Sequence, residues 1–280
     1  MYKPELNNMK QIKIKDATIP ALGFGTFQLD NTVATHMVGA AIAAGYRHID
    51  TAQVYGNEEG VGQAIQEAAI ARNEIFLTTK VHRDPLRKDK FLPSVEESLR
   101  KLKTDYVDLL LIHWPNPEVP VEEYIEQLML AQQKGYTKYI GVSNHPINLL
   151  DRVLATGADI ITNQVEYHPL INQEKLKSYL QQHNISLTAY SPIAQGKVMG
   201  NETLKSIAEK YGKNEIQVTL RWLMQQDQVL AIPRSSKEAN MEANIHIFDF
   251  ELTQQEIAQI DALNAQNLRV VNPAFAPDWD

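Results

Sequence analysis

Cysteine is absent from all 280 residues. Its absence excludes a disulfide framework, an iron–sulfur cluster, a thiolate zinc site and a cysteine nucleophile, and it fits a reducing cytosol. A basic excess is missing too, since 27 Lys+Arg stand against 34 Asp+Glu for a net charge of −7. Nucleic-acid and membrane-surface binders carry the opposite balance. Neither partner is expected, whereas a small anionic ligand needs only a local basic group. No apolar run approaches the ~18 residues of a membrane span. The opening Met1-Tyr2-Lys3-Pro4-Glu5 has no apolar signal core, so the expected location is the cytoplasm. Residues 1–10 read as a polar tail, with Met9 as an alternative start.

What is present is ordinary for a soluble globular chain: 44% hydrophobic residues, 22% charged, and 13 each of Gly and Pro. A chain of this length suits either two domains or one large barrel. Short apolar, β-branched runs at 21–25, 47–50, 75–79, 107–112, 139–142, 160–164, 186–190 and 229–232 alternate with amphipathic stretches. The helix-like segments lie near 33–44, 58–70, 90–102, 121–134, 146–156, 172–183, 201–211, 215–226 and 238–243. Asn172, Asn201 and the Thr253/Glu256 capping box supply helix starts. Eight strands, each followed by a helix, predict a parallel sheet. An open doubly wound sheet would alternate in the same way. However, Gly23-Phe24-Gly25-Thr26-Phe27-Gln28 lacks the third glycine of a dinucleotide-binding turn, and no polar linker divides the chain. The expected fold is therefore α/β, a single (β/α)8 TIM barrel over 1–280. It carries an N-terminal β-hairpin around Lys15-Asp16, extra helices, and an irregular C-terminal tail at 264–280 near the site.

In such barrels the chemistry gathers at the C-terminal ends of the strands. The second strand ends in Asp50 with Tyr55 just beyond; the third reaches Lys80, the fourth His113-Trp114 and the fifth Ser143-Asn144. The sixth ends at Asn163-Gln164, the seventh at Tyr190-Ser191, and the eighth leads into Pro233-Arg234-Ser235-Ser236-Lys237. Each residue alone has a plain alternative: a solvated lysine, a structural histidine, an aspartate cap, a tyrosine packed in a loop. Together, an acid, a base, a phenol and an imidazole converge on one rim, which predicts an acid–base site.

The segment 45–62, containing Asp50-Thr51-Ala52-Gln53-Val54-Tyr55-Gly56-Asn57-Glu58, resembles the first signature of the aldo-keto reductase family. Lys80 after Phe76-Leu77-Thr78-Thr79 resembles that family's lysine strand, and Leu111-Ile112-His113-Trp114-Pro115 its histidine strand. Ile140-Gly141-Val142-Ser143-Asn144 and Asn163-Gln164-Val165-Glu166-Tyr167-His168-Pro169 are further family-like segments. Within the family, Thr104-Asp105-Tyr106-Val107-Asp108 and the closing Ala276-Pro277-Asp278-Trp279-Asp280 are most similar to bacterial 2,5-diketo-D-gluconate reductases, especially the B type.

The resemblance implies NADPH-dependent reduction of small aldehydes or ketones, such as methylglyoxal or 2,5-diketo-D-gluconate, by a monomer. It implies Tyr55 as proton donor, Lys80 as the group lowering its pKa, Asp50 as anchor for Lys80, and His113 as orienter of the carbonyl, with Trp114 beside the substrate. For NADPH it implies Ser143, Asn144 and Gln164 on the carboxamide and Tyr190 under the nicotinamide. It further implies Ser191 at the start of the loop over the pyrophosphate and Arg234 and Lys237 at the 2′-phosphate, with a solvated charge cluster as the alternative for that basic pair. Thr26, Asp50, Ser235 and Asn244 complete the cofactor set. The sequence departs from the family at Asn240, where many relatives carry Arg, and at His145 and His82, where aromatics are usual; His82 is expected to make the pocket more polar. Two rival readings are a metal-dependent barrel hydrolase, for which the eight histidines are too scattered, and a cofactor-binding regulatory module without turnover. No metal is expected.

Overall fold

A computed structural model describes residues 9–280; most of the expected tail lies outside the described residues. At its inner end, Lys10 donates through Nζ to Met224 O and Gln226 O, both at 2.8 Å. The hairpin follows as β1 (Gln11–Ile14) and β2 (Ala17–Pro20), antiparallel with Ile14 opposite Ala17. Its turn is made at Lys15, with φ of 53°.

Eight parallel strands come next: β3 (Phe24–Gly25), β4 (His48–Asp50), β5 (Phe76–Val81), β6 (Val107–Ile112), β7 (Thr137–Ser143), β8 (Ile160–Glu166), β9 (Ser186–Tyr190) and β10 (Val229–Ala231). They lie side by side in chain order. The two edges meet through a parallel bridge from Leu22 to Ala231 and through Gly23 N to Ala231 O at 2.8 Å and Gly25 N to Pro233 O at 3.0 Å. The sheet therefore closes into a barrel, which leaves no long unpaired edge. Closure requires a glycine at position 25, because a Cβ there would fall 2.8 Å from Ile232 O.

The surrounding helices are α1 (Asn31–Ala44), α2 (Glu58–Glu67), α3 (Lys88–Leu102), α4 (Val121–Gln133), α5 (Ile147–Ala155), α6 (Glu174–Gln182), α7 (Glu202–Tyr211), α8 (Glu215–Met224), α9 (Glu238–Ile245) and α10 (Gln254–Asp261). Two of the expected starts hold: Asn201 accepts Leu204 N, and Thr253 with Glu256 forms the reciprocal box. Asn172 instead accepts Glu174 N from one position further out, and Gln173 is the residue at the boundary.

Strands β5, β6 and β8 are buried at every position, and for β6 this explains its near-continuous apolar character. Two strands run further than their apolar stretches suggest. β5 continues through Lys80 to Val81, and β8 through Val165 to Glu166. Lys80 and Glu166 are polar but wholly buried and paired, so they extend the strands instead of ending them.

Candidate active site

Asp50, the last residue of β4, is buried and has both carboxylate oxygens engaged. Oδ1 pairs with Lys80 Nζ, and Oδ2 accepts Gln164 Nε2 at 2.8 Å. Lys80 is 0% exposed. Its other donors reach Thr51 O at 2.9 Å and Tyr55 Oη at 3.4 Å, so all three ammonium protons are directed. Tyr55 closes a short 3-10 turn, Gln53–Tyr55, that ends at Gly56 with φ of 66°, a conformation glycine adopts without cost. Gln53 holds that turn in place. Its Nε2 donates to Ser94 O at 3.1 Å and to Ser98 Oγ at 3.1 Å, and its Oε1 accepts His82 N at 2.9 Å.

Lys80 donates to the phenolic oxygen, which leaves the Tyr55 proton free to point elsewhere. Burial pushes the Tyr55 hydroxyl well above its ordinary pKa, and the Asp50 charge adds to this. Desolvation is thus the larger influence on this hydroxyl, with Lys80 held beside it as a donor. Lys80 is itself pushed down by burial, against the pull of Asp50. Glu58, the first residue of α2, also lies inside, accepting Thr79 Oγ1 at 2.6 Å, and burial raises its pKa.

His113 meets Tyr55 edge-on, with ring centroids 5.6 Å apart. Burial, then the nearby Lys80 and His82, pushes its pKa well below the usual range. A neutral imidazole keeps one N–H donor and one acceptor, and His113 Nδ1 is buried without a partner. Phe27 also packs against Tyr55, with ring centroids 5.1 Å apart.

These groups face a cavity of about 550 Å³, within the size range of small-molecule sites. Thr26, Asp50, Tyr55, His113, Trp114, Asn144, Gln164, Tyr190, Ser191 and Arg234 all line it. The polar ends of β7 and β8 are tied to one another. Ser143 Oγ donates to Gln164 O at 2.7 Å, and Asn144 Nδ2 reaches His113 O at 3.0 Å. Tyr190 Oη donates to Asn144 Oδ1 at 2.8 Å. Backbone strain gathers along the same wall: Asn144, Ser191, Ala194 and Gln195 all have positive φ, at 60°, 45°, 49° and 54°. Such strained non-glycine positions cluster where a ligand is held.

Residues 21–265 match the aldo/keto reductase family. The chain belongs to that family. It is 43% identical over 267 residues to methylglyoxal reductase DkgB of Escherichia coli O157:H7, covering 94% of this chain and 99% of that protein. The glyoxal reductase of Bacillus subtilis (strain 168) is 43% identical over 258 residues, 91% of this chain and 92% of that one. A crystal structure of an aldo/keto reductase from Brucella melitensis superposes with a TM-score of 0.87 at 41% identity, covering 91% of this chain and 99% of the other.

As an aldo/keto reductase, the chain has residues that suit a nicotinamide cofactor. Among the described residues, Gln164 Oε1 accepts no hydrogen bond and Gln164 lines the cavity, so an acceptor is open to a carboxamide. The Tyr190 ring lies on the cavity wall. Arg234 donates from Nε to Phe27 O at 2.9 Å and from Nη2 to Gln28 Oε1 at 3.0 Å, clasping the two sides of the mouth with one guanidinium edge still open. Ser235, Lys237 and Asn244 stand outside the cavity lining. Ser235 Oγ bonds to Lys237 N and O at the start of α9, and Asn244 is buried on that helix.

The two unusual histidines do not reach the cavity. His145 is wholly buried, bonded to Tyr124 Oη and Ser143 O at 2.9 Å each. His82 sits beside Asp84 at 3.1 Å and outside the cavity lining, close enough for its charge to act on His113. Gln53, the Gln164 bond to Asp50, and Glu166 escaped the sequence reading. Their partners lie far away in the chain, and no local spacing signals them.

Proposed function

We propose that the chain is an NADPH-dependent reductase that converts small aldehydes and ketones to alcohols, with methylglyoxal-like dicarbonyls and 2,5-diketo-D-gluconate as the substrate class. The relatives named as methylglyoxal and glyoxal reductases support the carbonyl class. The observation that carries the mechanism is the Lys80 donation to Tyr55 Oη at 3.4 Å.

Bound NADPH supplies hydride to the carbonyl carbon; the chain's own residues handle the oxygen. His113, neutral and edge-on to Tyr55, offers its N–H to the carbonyl oxygen and orients it. As negative charge grows on that oxygen, Tyr55 delivers its proton, completing the alcohol. The tyrosinate left behind faces the Lys80 ammonium, which Asp50 holds in place through an ion pair that Gln164 steadies. Because burial keeps Tyr55 protonated, the acid form is ready at neutral pH. Gln164, Asn144 and Ser143 are assigned to the carboxamide, Tyr190 to the nicotinamide face, Ser191 to the pyrophosphate, and Arg234 with Lys237 to the 2′-phosphate. Thr26, Ser235 and Asn244 support the remainder. Trp114 is assigned to the substrate. The proposal includes a monomer working in the cytoplasm, consistent with a chain free of cysteine.

The rival hydrolase needs a ligand cluster. Among the described residues no group of three or more His, Asp or Glu side chains gathers in metal-binding geometry. The experiment that separates turnover from mere cofactor binding is Tyr55→Phe. Removing the acid lowers kcat/KM for methylglyoxal by about a thousandfold, followed as loss of NADPH absorbance, while NADPH affinity by fluorescence titration stays within about twofold. Near-normal turnover of the variant removes Tyr55 from its role.

A further inference from the structure

One wall of the cavity comes from chain without regular structure. Beyond the 3-10 turn Ala262–Gln266 no helix or strand forms. Yet Val271 lines the cavity, and Phe275 and Trp279 meet Trp114 edge-on, with ring centroids at 5.4 and 6.1 Å. An irregular segment lacks the ladder of backbone bonds that fixes a helix or strand, so its position depends on partners elsewhere.

The principal partner is Glu166, the last residue of β8 and 0% exposed. Its Oε1 accepts Val270 N at 2.6 Å, and its Oε2 accepts Val271 N at 2.8 Å. His168 Nδ1 accepts Leu170 N at 3.2 Å, which places the imidazole proton on Nε2, 2.9 Å from Glu166 Oε1. The carboxylate thus takes three donors, and two are consecutive amides of the irregular segment. A carboxylate can give each amide its own oxygen, and bonds to an ionised acceptor are shorter and stronger than neutral ones. A buried carboxylate is costly unless so paired. Two of these three bonds go to the tail and the third to His168; Glu166 does not line the cavity and bonds to none of Asp50, Tyr55, Lys80 or His113.

We propose that Glu166 is a specificity-setting positioning residue. Its carboxylate clamps the Val270 and Val271 amides, and so places the wall that Val271 and Trp114 present to the part of a substrate remote from its carbonyl. The proposal rests on the carbonyl-reductase reading and deepens it. A larger carbonyl compound needs that wall, whereas methylglyoxal depends almost wholly on the reacting groups.

The test uses the full chain with Glu166→Gln, which keeps shape but turns one acceptor into a donor facing backbone N–H groups. Amide exchange of Val270 and Val271 should quicken at least about tenfold, and KM for phenylglyoxal should rise about tenfold. kcat for phenylglyoxal and methylglyoxal, and NADPH affinity, should stay within about twofold. Val271→Ala should reproduce the rise in phenylglyoxal KM, and combining the two changes should add little, since both act through one contact. Faster exchange with an unchanged phenylglyoxal KM overturns the proposal. Unchanged exchange does so too, as does a joint fall in kcat and NADPH affinity, which marks a merely structural role. If the unmodified chain reduces no carbonyl at all, the functional reading fails and the specificity half of this proposal with it. The exchange rates still judge the clamp.

Discussion

A buried lysine usually reads as a liability, because desolvation disfavours its charge. Lys80 is tolerated because three acceptors meet its three donors: Asp50, Thr51 O and Tyr55 Oη. The Asp50–Lys80–Tyr55 chain thereby fixes which way the phenolic proton faces, and Gln164 extends the chain across to β8. Arg234 has a comparable double use, holding Phe27 and Gln28 while one edge stays open. Arg234→Ala should weaken NADPH about tenfold or more, the scale of one lost charge-assisted contact, and NADH by less than about threefold; titration with both cofactors checks this. Equal losses would show that Arg234 acts only through the Phe27 loop.

Among the elements, β6 shows how the barrel's two ends divide their labour. Asp108 near its start is buried in an otherwise apolar strand. Oδ2 accepts Arg72 Nη1 at 2.9 Å and Leu77 N at 3.0 Å, and Oδ1 accepts Lys138 Nζ at 2.8 Å. Arg72 and Lys138 also flank the Tyr106 ring, each at 4.5 Å from its centroid. This knot ties the beginnings of β5, β6 and β7, opposite the end where His113 follows the same strand. Asp108→Asn leaves the two cations without their counter-charge and should cost about 2–4 kcal/mol of stability in urea denaturation. kcat of the folded variant should be unchanged, since the site is at the other rim. A fall in kcat without loss of stability would contradict this division.

For the molecule as a whole, the barrel buries histidines that ordinary solvation would leave titratable. Burial pushes His48 down, His113 well down, and His145 to about 4. In the unfolded chain each takes up a proton near pH 6.5. The unfolded state therefore binds more protons between that pH and the folded value, so stability is complete above about 6.5 and is lost as pH falls through the window. His145 alone accounts for about 3 kcal/mol between about 6.5 and 4. Melting temperature should drop over that range in the unmodified chain. His145→Gln should be less stable near neutrality yet show a shallower drop, and a slope identical to that of the unmodified chain would assign the pH dependence elsewhere.

Much of this was legible before folding was considered. Eight apolar runs in regular alternation with amphipathic segments specify parallel strands with crossover helices, and a residue that follows a parallel strand faces the same rim as its counterparts. Asp50, Lys80, His113 and Gln164 therefore met where the pattern placed them. The direction of the Tyr55 pKa was not legible, because desolvation depends on what surrounds the hydroxyl and not on which lysine stands nearby. The clamp of Glu166 on Val270, the hold of Gln53 on His82 and Ser98, and the clasp of Arg234 on Phe27 were hidden for the same reason. The sequence by itself determined the elements, their order and the rim on which the candidate site residues gather, since these follow from local periodicity and chain connectivity. Only the tertiary structure decided the protonation directions and the supports of the pocket wall, since these depend on burial and on contacts between residues 29 to 207 positions apart.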